Sequence, residues 1–362
     1  MFLAIIAIIF TLLLVVGIHE AGHAIVARFF HVKIKKISIG FGKPLLQWRS
    51  KSGIDWVWGM WPLGGYVQLL NSRITPVEPK EYSDCFDKKP IWIRIFILLG
   101  GAFANLITAW VAFTLVFYIG IHYKLPQIQS VQPNTIAAQA GVSSGDQFIA
   151  IEGYPTPSWQ EVGMQLVILW GNKDVKVTLA QANKAGLKET TLDLSQIKFT
   201  GREKSLLAGM GITPNMAAPG AVMFATSILG AMAQANAAII HMLYFFMMIL
   251  KQLFSGVIPF AILLGPIGIF AASIASLMQG VVVFIFFIAS FSMAVAVVNL
   301  FPLPGLDGGS ILYCIIEKIR GKPMSVAFEV LLYQLMFIAF CLLLVHLVNN
   351  DLARFFVHKS AG

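Results

Sequence analysis

The stretch "GIHEAGHAIVARFF" (17–30) closes an apolar run that begins at Phe2. Two histidines and a glutamate therefore lie in a segment otherwise suited to a bilayer. On insertion scales, each ionisable group near the centre of a membrane helix costs about 2.5–3.5 kcal/mol, so three of them in one span demand a function. On a helix, His19 and His23 stand at i and i+4, on one face and close enough to share a metal ion. Glu20, their neighbour, can reach a metal-bound water. This is the zinc-hydrolase arrangement: two imidazoles bind Zn²⁺, the ion lowers the pKa of its water, and the glutamate takes and returns the proton. In a soluble chain such a five-residue match is weak evidence; inside a span the bland reading has little left to support it.

The rest of the chain supplies that setting. Its 362 residues are 57% apolar and only 12% charged, which places it among polytopic membrane proteins. Residues 2–18 lack the basic start and small-residue cleavage site of a signal peptide. Arg28, Lys33, Lys35 and Lys36 follow the run instead, as expected for a retained span that starts outside and ends in the cytoplasm. Between Arg28 and Arg94 there are 12 Lys/Arg against 5 Asp/Glu, so this loop carries most of the net charge of +9. The positive-inside rule explains that excess better than a nucleic-acid partner, which is not expected. Cys85, Cys314 and Cys341 have no pairing or metal-ligand spacing.

The pattern predicts a polytopic α-helical membrane protein with about four transmembrane helices, a membrane-associated β-hairpin or sheet and an external mixed α/β domain. The first helix occupies 1–30 and carries the two histidines. A β-rich, membrane-associated cytoplasmic loop covers 31–91, with "VKIKKISIGFG" and "IDWVWGMWPLGGYVQLL" reading as strands punctuated by glycine. The second helix covers 92–122, and a polar domain with β-type alternation covers 124–205. A linker ("NMAAPG", 215–220) and an interfacial or re-entrant segment fill 206–276, where Gln234, Asn236, His241, Lys251 and Gln252 interrupt the apolar run. The third helix covers 278–316 and the fourth 326–348. "NLFPLPGLDGG" interrupts the third. Non-helical backbone at membrane depth is tolerated only where protein or a cavity surrounds it.

Catalytic zinc usually takes a third protein ligand and keeps a fourth position open. His19 lies about 27 Å along the first span at about 1.5 Å per residue. Asp307 reaches a similar depth if the third span runs inward, which also leaves Lys318, Arg320 and Lys322 in the cytoplasm. That parity holds only if residues 222–276 make no single crossing. Glu317, Glu329 and His241 compete less well as ligands: the first two lie at span ends, and His241 lies on the ambiguous segment.

"HEAGH", "GAFAN" (101–105) and "NLFPLPGLDGG" (299–309), in this order, resemble the site-2 protease family of intramembrane zinc metalloproteases. "VQPNTIAAQAGVSSGDQFIAIEGYPTPSW" (131–159) is similar to a PDZ domain of the bacterial type, and "PLGGYV" (62–67) and "GPIGI" (265–269) add to the likeness, which covers nearly the whole chain. The resemblance implies that His19, His23 and Asp307 bind zinc, that Glu20 is the general base, and that Asn105 and Asn299 hold the substrate backbone or its polarised carbonyl. It implies that Pro302 and Pro304 unwind the third span so that Asp307 can reach the metal. It further implies a bacterial inner-membrane protein with a periplasmic PDZ domain and a site toward the cytoplasm. Substrates would be single-span membrane proteins, such as an anti-sigma factor, and signal-peptide remnants. The chain departs from the family in having room for one PDZ domain where two are common, and in Ala102 and Ser310 where Pro and His are common.

A transmembrane helix hides its carbonyls in its own hydrogen bonds and must be unwound before hydrolysis. A sheet built from "SIGFG" (38–42) and "WPLGGYV" (61–67), with Gly64 and Gly65 facing the substrate, would do this by strand addition. Two other classes fit the pattern less well. A metal-dependent transporter would also place charges and broken helices at mid-membrane, but Glu20 beside a two-histidine pair and the lack of an internal repeat argue against it. An inactive PDZ-bearing scaffold would not need an intact ligand set.

Overall fold

The computed structural model describes residues 2–182, 186–197, 206–260 and 263–359. The chain divides into two compact units: Met1–Val116 with Ile228–Met242 and Phe270–Leu343, and Phe117–Ser227 with Leu243–Ile269 and Leu344–Gly362.

In the first unit, α1 (Phe2–Leu12) leads into a five-residue π-helical turn (Leu13–Gly17) and then α2 (Ile18–Phe29), the three together forming the first apolar helix. A π turn inside an α-helix often sits beside a functional site. Here it ends at Gly17, two residues before His19. The buried residues of α2 are His19, Gly22, His23, Ala24 and Ala27, a stripe of i, i+3/i+4 and i+8 spacing that marks the inward face.

Two long strands follow, β1 (Ile34–Arg49) and β2 (Asp55–Leu69), paired antiparallel. Each serves twice. Ile37 faces Val67 on one side and Trp56 on the other, while Trp56 also faces Trp48. The hairpin is thus folded over into four segments in the order 65–69, 34–39, 55–58, 44–49. The fold-over of β1 comes at Gly40 and Gly42, whose φ of 87° and 89° suits glycine. Residues 65–69 therefore form an outer edge. Ile34, Ile54 and Val32 pack with Ala24 and Ala27 of α2 and with Ile97, so the sheet is fastened to the face of α2 that carries the histidines.

Helix α3 (Ile91–Ile119) comes next. It crosses α2 at very short range: a Cβ added to Gly22 would lie 2.3 Å from the carbonyl oxygen of Gly100. Such backbone contact needs small residues on both helices.

The second unit holds the polar domain. Its strands are β3 (Ile121–Lys124), β4 (Ile128–Val131), β5 (Gln147–Ile151), β6 (Tyr154–Pro155), β7 (Val175–Ala180), β8 (Leu187–Leu192), β9 (Ile212–Pro214) and β10 (Gly220–Met223), with helices α4 (Ile136–Gln139), α5 (Trp159–Ile168) and α6 (Leu206–Gly209). A four-stranded antiparallel sheet in the order β6-β5-β7-β8 packs α5 onto a core of Phe148, Ile151, Val162, Leu166, Val177 and Leu179. Ser158 caps α5 by accepting from the Glu161 amide, within the S-x-x-E signature of a helix start. The domain does not close at 205, and residues 198–205 of the expected range lie outside the described residues. It is completed by β9 on β4 and β10 on β3, so the "NMAAPG" stretch joins two strands of the domain instead of leaving it.

Three more apolar helices follow: α7 (Ile228–Phe254), α8 (Pro266–Gln279) and α9 (Val281–Asn299). Then come α10 (Asp307–Arg320) and α11 (Val326–Lys359). Among the described residues five helices are long and apolar enough to cross a membrane, against the four or so expected. The added one is α7. Its polar residues pointed toward an interfacial course, yet two of them bond to neighbouring elements: Asn236 Oδ1 accepts from Trp110 Nε1 at 2.8 Å, and Gln252 Nε2 donates to the Ile168 carbonyl at 2.8 Å. The expected third span is corrected as well. It stops at Asn299, and Asp307 opens a separate, amphipathic helix. The intervening turn is so tight that a Cβ on Gly308 would lie 2.2 Å from the Leu300 carbonyl oxygen, and one on Gly309 2.1 Å from that of Leu303.

Candidate metal centre

The site assembles from three helices. His19 and His23 project from the same face of α2, and the first residue of α10, Asp307, meets them. The Nε2 atoms of His19 and His23 are 3.2 Å apart, and each is 3.2 Å from Asp307 Oδ2. Among the described residues this is the one cluster of three or more side chains placed to share a metal ion. Both histidines are buried, with relative exposures of 7% and 9%.

The proton inventory favours a cation at the centre. His23 Nδ1 lies 2.8 Å from the Ile97 carbonyl. A carbonyl only accepts, so Nδ1 carries the proton and the neutral ring presents a lone pair at Nε2. Asn105 reaches His19 Nδ1 at 3.4 Å, while its own buried Oδ1 has no partner. Turning the amide brings Oδ1 onto a His19 Nδ1–H, leaving a second Nε2 lone pair directed inward. Asp307 Oδ2 is buried and receives no hydrogen bond. Three electron-rich atoms thus face one another. A tetrahedral ion with bonds of about 2.0–2.1 Å holds its donors about 3.3 Å apart, close to the separations here. The Ile97 carbonyl and Asn105 are the outer partners that fix ring orientation and tautomer in histidine metal sites.

Helix α3 is the frame for all of this. Ile97, Gly101 and Asn105 recur at i, i+4 and i+8 on one face. A Cβ at Gly101 would lie 2.3 Å from His23 Nε2 and 2.7 Å from His19 Cε1, so only glycine lets the helix back onto both rings. Asn105 is 0% exposed, and its carbonyl accepts from Ser292 Oγ of α9 at 3.0 Å.

A cavity of about 400 Å³ opens beside the cluster. His19, Glu20, His23 and Asp307 line it, as do Gly64, Gly65 and Asn299, three of the residues expected to meet substrate. Asn105 is not among its lining residues; it sits behind His19. Tyr66, Val67 and Leu69 of the outer β2 edge and Ile97 and Leu98 of α3 complete one wall. Glu20 lines the same cavity beside Val67 and Gly65 of that edge and beside both histidines. The competing ligands lie elsewhere. Glu317 pairs with Arg94 and Glu329 with Arg73, and His241 lies on α7. Sequence reasoning missed Ile97, whose backbone acceptor leaves no signal. The glycine pair 100–101 inside an apolar helix was the available clue to the close packing.

A model of peptidase family M50 matches residues 7–344. Protease RseP of Yersinia pestis is 27% identical over 441 aligned positions, covering 96% of this chain and 98% of that protein. Regulator of sigma-E protease RseP of Escherichia coli is 27% identical over 431, covering 94% and 96%. A Vibrio cholerae protein carrying a zinc metalloprotease name is 37% identical over 210 residues, 58% of this chain and 46% of that protein. Alignments longer than the 362 residues here mean that the full-length relatives carry inserted sequence on the scale of a further small domain.

Gly101→Ala should push the two rings apart and lower metal retention at least about tenfold, read as zinc per protein after dialysis against a chelator.

Proposed function

The chain belongs to peptidase family M50 and is an intramembrane zinc metalloprotease, and on that premise we propose that His19, His23 and Asp307 hold the zinc ion while Glu20 moves the proton. The observation that carries the assignment is the unpartnered, buried Asp307 Oδ2 at 3.2 Å from two histidine nitrogens. When bound, zinc supplies Lewis acidity toward a peptide carbonyl and toward water. The chain's own groups do the rest. Glu20, on the cavity wall beside both histidines, takes the proton from the attacking water and delivers it to the departing amide nitrogen. Asn299, which lines the same cavity, offers its amide to the substrate backbone. Asn105 acts on His19 and not on the substrate.

An extended segment fits along the outer edge of β2, where Gly65–Leu69 pair with β1 on one side only. We assign that edge as the substrate track: strand addition fixes the chain through its backbone, and the missing side chains at Gly64 and Gly65 let it approach Glu20.

The natural substrates are single-span membrane proteins, an anti-sigma factor and signal-peptide remnants among them; relatives named as regulators of sigma-E protease support this class. The domain from β3 to β10 is PDZ-like and lies on the periplasmic side of the inner membrane, whereas the metal site lies toward the cytoplasm. The meeting of Asp307 with His19 and His23 supports a course in which α7 and α8 together make no net crossing.

Three measurements test these assignments. With purified protein in detergent and a single-span reporter, Glu20→Gln should keep zinc and lose cleavage by about 10²–10⁴-fold; zinc bound without Glu20-dependent cleavage overturns the role. Val67→Pro should abolish cleavage with zinc retained, whereas Val67→Ala should leave most of it; equal activity of the two removes the strand-addition track. Cysteines introduced at Ser195 and Ser52, both exposed, should react with an impermeant maleimide from the periplasmic and cytoplasmic sides respectively, and the opposite pattern reverses the orientation.

A further inference from the structure

Arg94 is an arginine with a relative exposure of only 6% inside an apolar helix, and neither the ligand set nor the substrate track uses it. Its Nη1 donates to both carboxylate oxygens of Glu317 at 2.9 Å each. Its guanidinium also lies over the Phe86 ring at 5.3 Å. Glu317 is on α10, the helix that Asp307 begins. Arg94 stands one turn before Ile97, whose carbonyl orients His23, and shares its stripe on α3 with Gly101 and Asn105.

One face of α3 therefore touches every ligand-bearing element. Asn105 contacts His19, Ile97 contacts His23, Gly101 abuts both rings, and Arg94 grips the helix that carries Asp307. The last link is the one that matters most for placement. Asp307 follows a tight seven-residue turn after α9, and α10 has no side-chain cap at its start. What fixes the height and rotation of α10 must act farther along it, and Glu317 lies ten residues on, nearly three turns. A buried ion pair is weak evidence for stability but is well suited to fixing register.

We propose that Arg94 and Glu317 are positioning residues that set the third ligand, holding α10 so that Asp307 Oδ2 meets the two imidazoles. This rests on the assignment of His19, His23 and Asp307 as the zinc ligands. Arg73 adds a second hold, donating to the Met324 carbonyl and to Glu329 just beyond α10.

The test uses the full chain in detergent, loaded with zinc and, separately, with cobalt. Arg94→Met and Glu317→Gln should each lose zinc to a competing chelator about 10–100-fold more readily than wild type. Each should also change the visible absorption of the cobalt form, which reports the coordination geometry. The fall in cleavage should appear in kcat with KM nearly unchanged, because the substrate track is untouched. The double variant should be no worse than either single one, since both remove the same contact. Arg94→Lys, which keeps a cation at the site, should recover part of the loss.

Wild-type zinc retention and cobalt absorption in the variants would overturn the proposal. If Arg94→Met does not yield folded protein, Glu317→Gln, which is nearly isosteric, and Arg94→Lys, which keeps the cation, decide it by the same readings. A wild-type chain that retains no zinc would instead overturn the ligand assignment itself, a distinct result.

Discussion

Three electron-rich atoms, two imidazole nitrogens and a carboxylate oxygen, face one another at 3.2 Å within a bundle of apolar helices. Without a cation between them the arrangement is repulsive, and its burial away from water would make it costly. Much of the surrounding structure exists to hold that geometry. The glycine crossing of α2 and α3 brings a backbone carbonyl to His23. The tight turn after α9 brings a carboxylate down to meet the rings. The folded hairpin packs against the same helix and supplies a wall of the cavity.

The division of labour follows from what each element can offer in an apolar medium. Helices satisfy their own backbone and can carry side chains at fixed spacing, so the residues proposed as ligands and base sit on them. A strand edge leaves backbone groups unpaired. That is a liability in lipid and an asset beside a cavity where another chain must be received in extended form. On the proposed track, residues 65–69 beside Glu20 turn that liability into a recognition surface.

The histidine pair and glutamate were legible because ionisable residues in a span need a reason. Asp307 followed from depth and charge parity. Other features were hidden for physical reasons. The acceptor for His23 is a backbone carbonyl, which any residue type supplies. The split of the expected third span into α9 and α10 depended on glycines packed against carbonyls, and Pro302 and Pro304 hinted only that the helix was disturbed. The fold-over of β1 and β2 needed pairing information that alternation does not contain, and β9 and β10 were too short to register as strands of the polar domain. Helix α7 shows that polar residues in an apolar run need not break it, Asn236 and Gln252 being held by neighbouring elements.

The π turn at Leu13–Gly17 gives the first helix two phases. Each widened turn accommodates about one more residue than an α-helical turn, and one residue of an α-helix is about 100° of rotation. The side chains of α1 and those of α2 therefore follow different stripes around what is otherwise one rod. The outer half is free to present one face to its neighbours, Ala7 among Phe284 and Ile288, while the inner half independently aims its imidazoles at α3 and α10. A single apolar rod thus combines the length of a membrane span with the arm proposed to bear the metal, the two parts uncoupled by a dislocation five residues long.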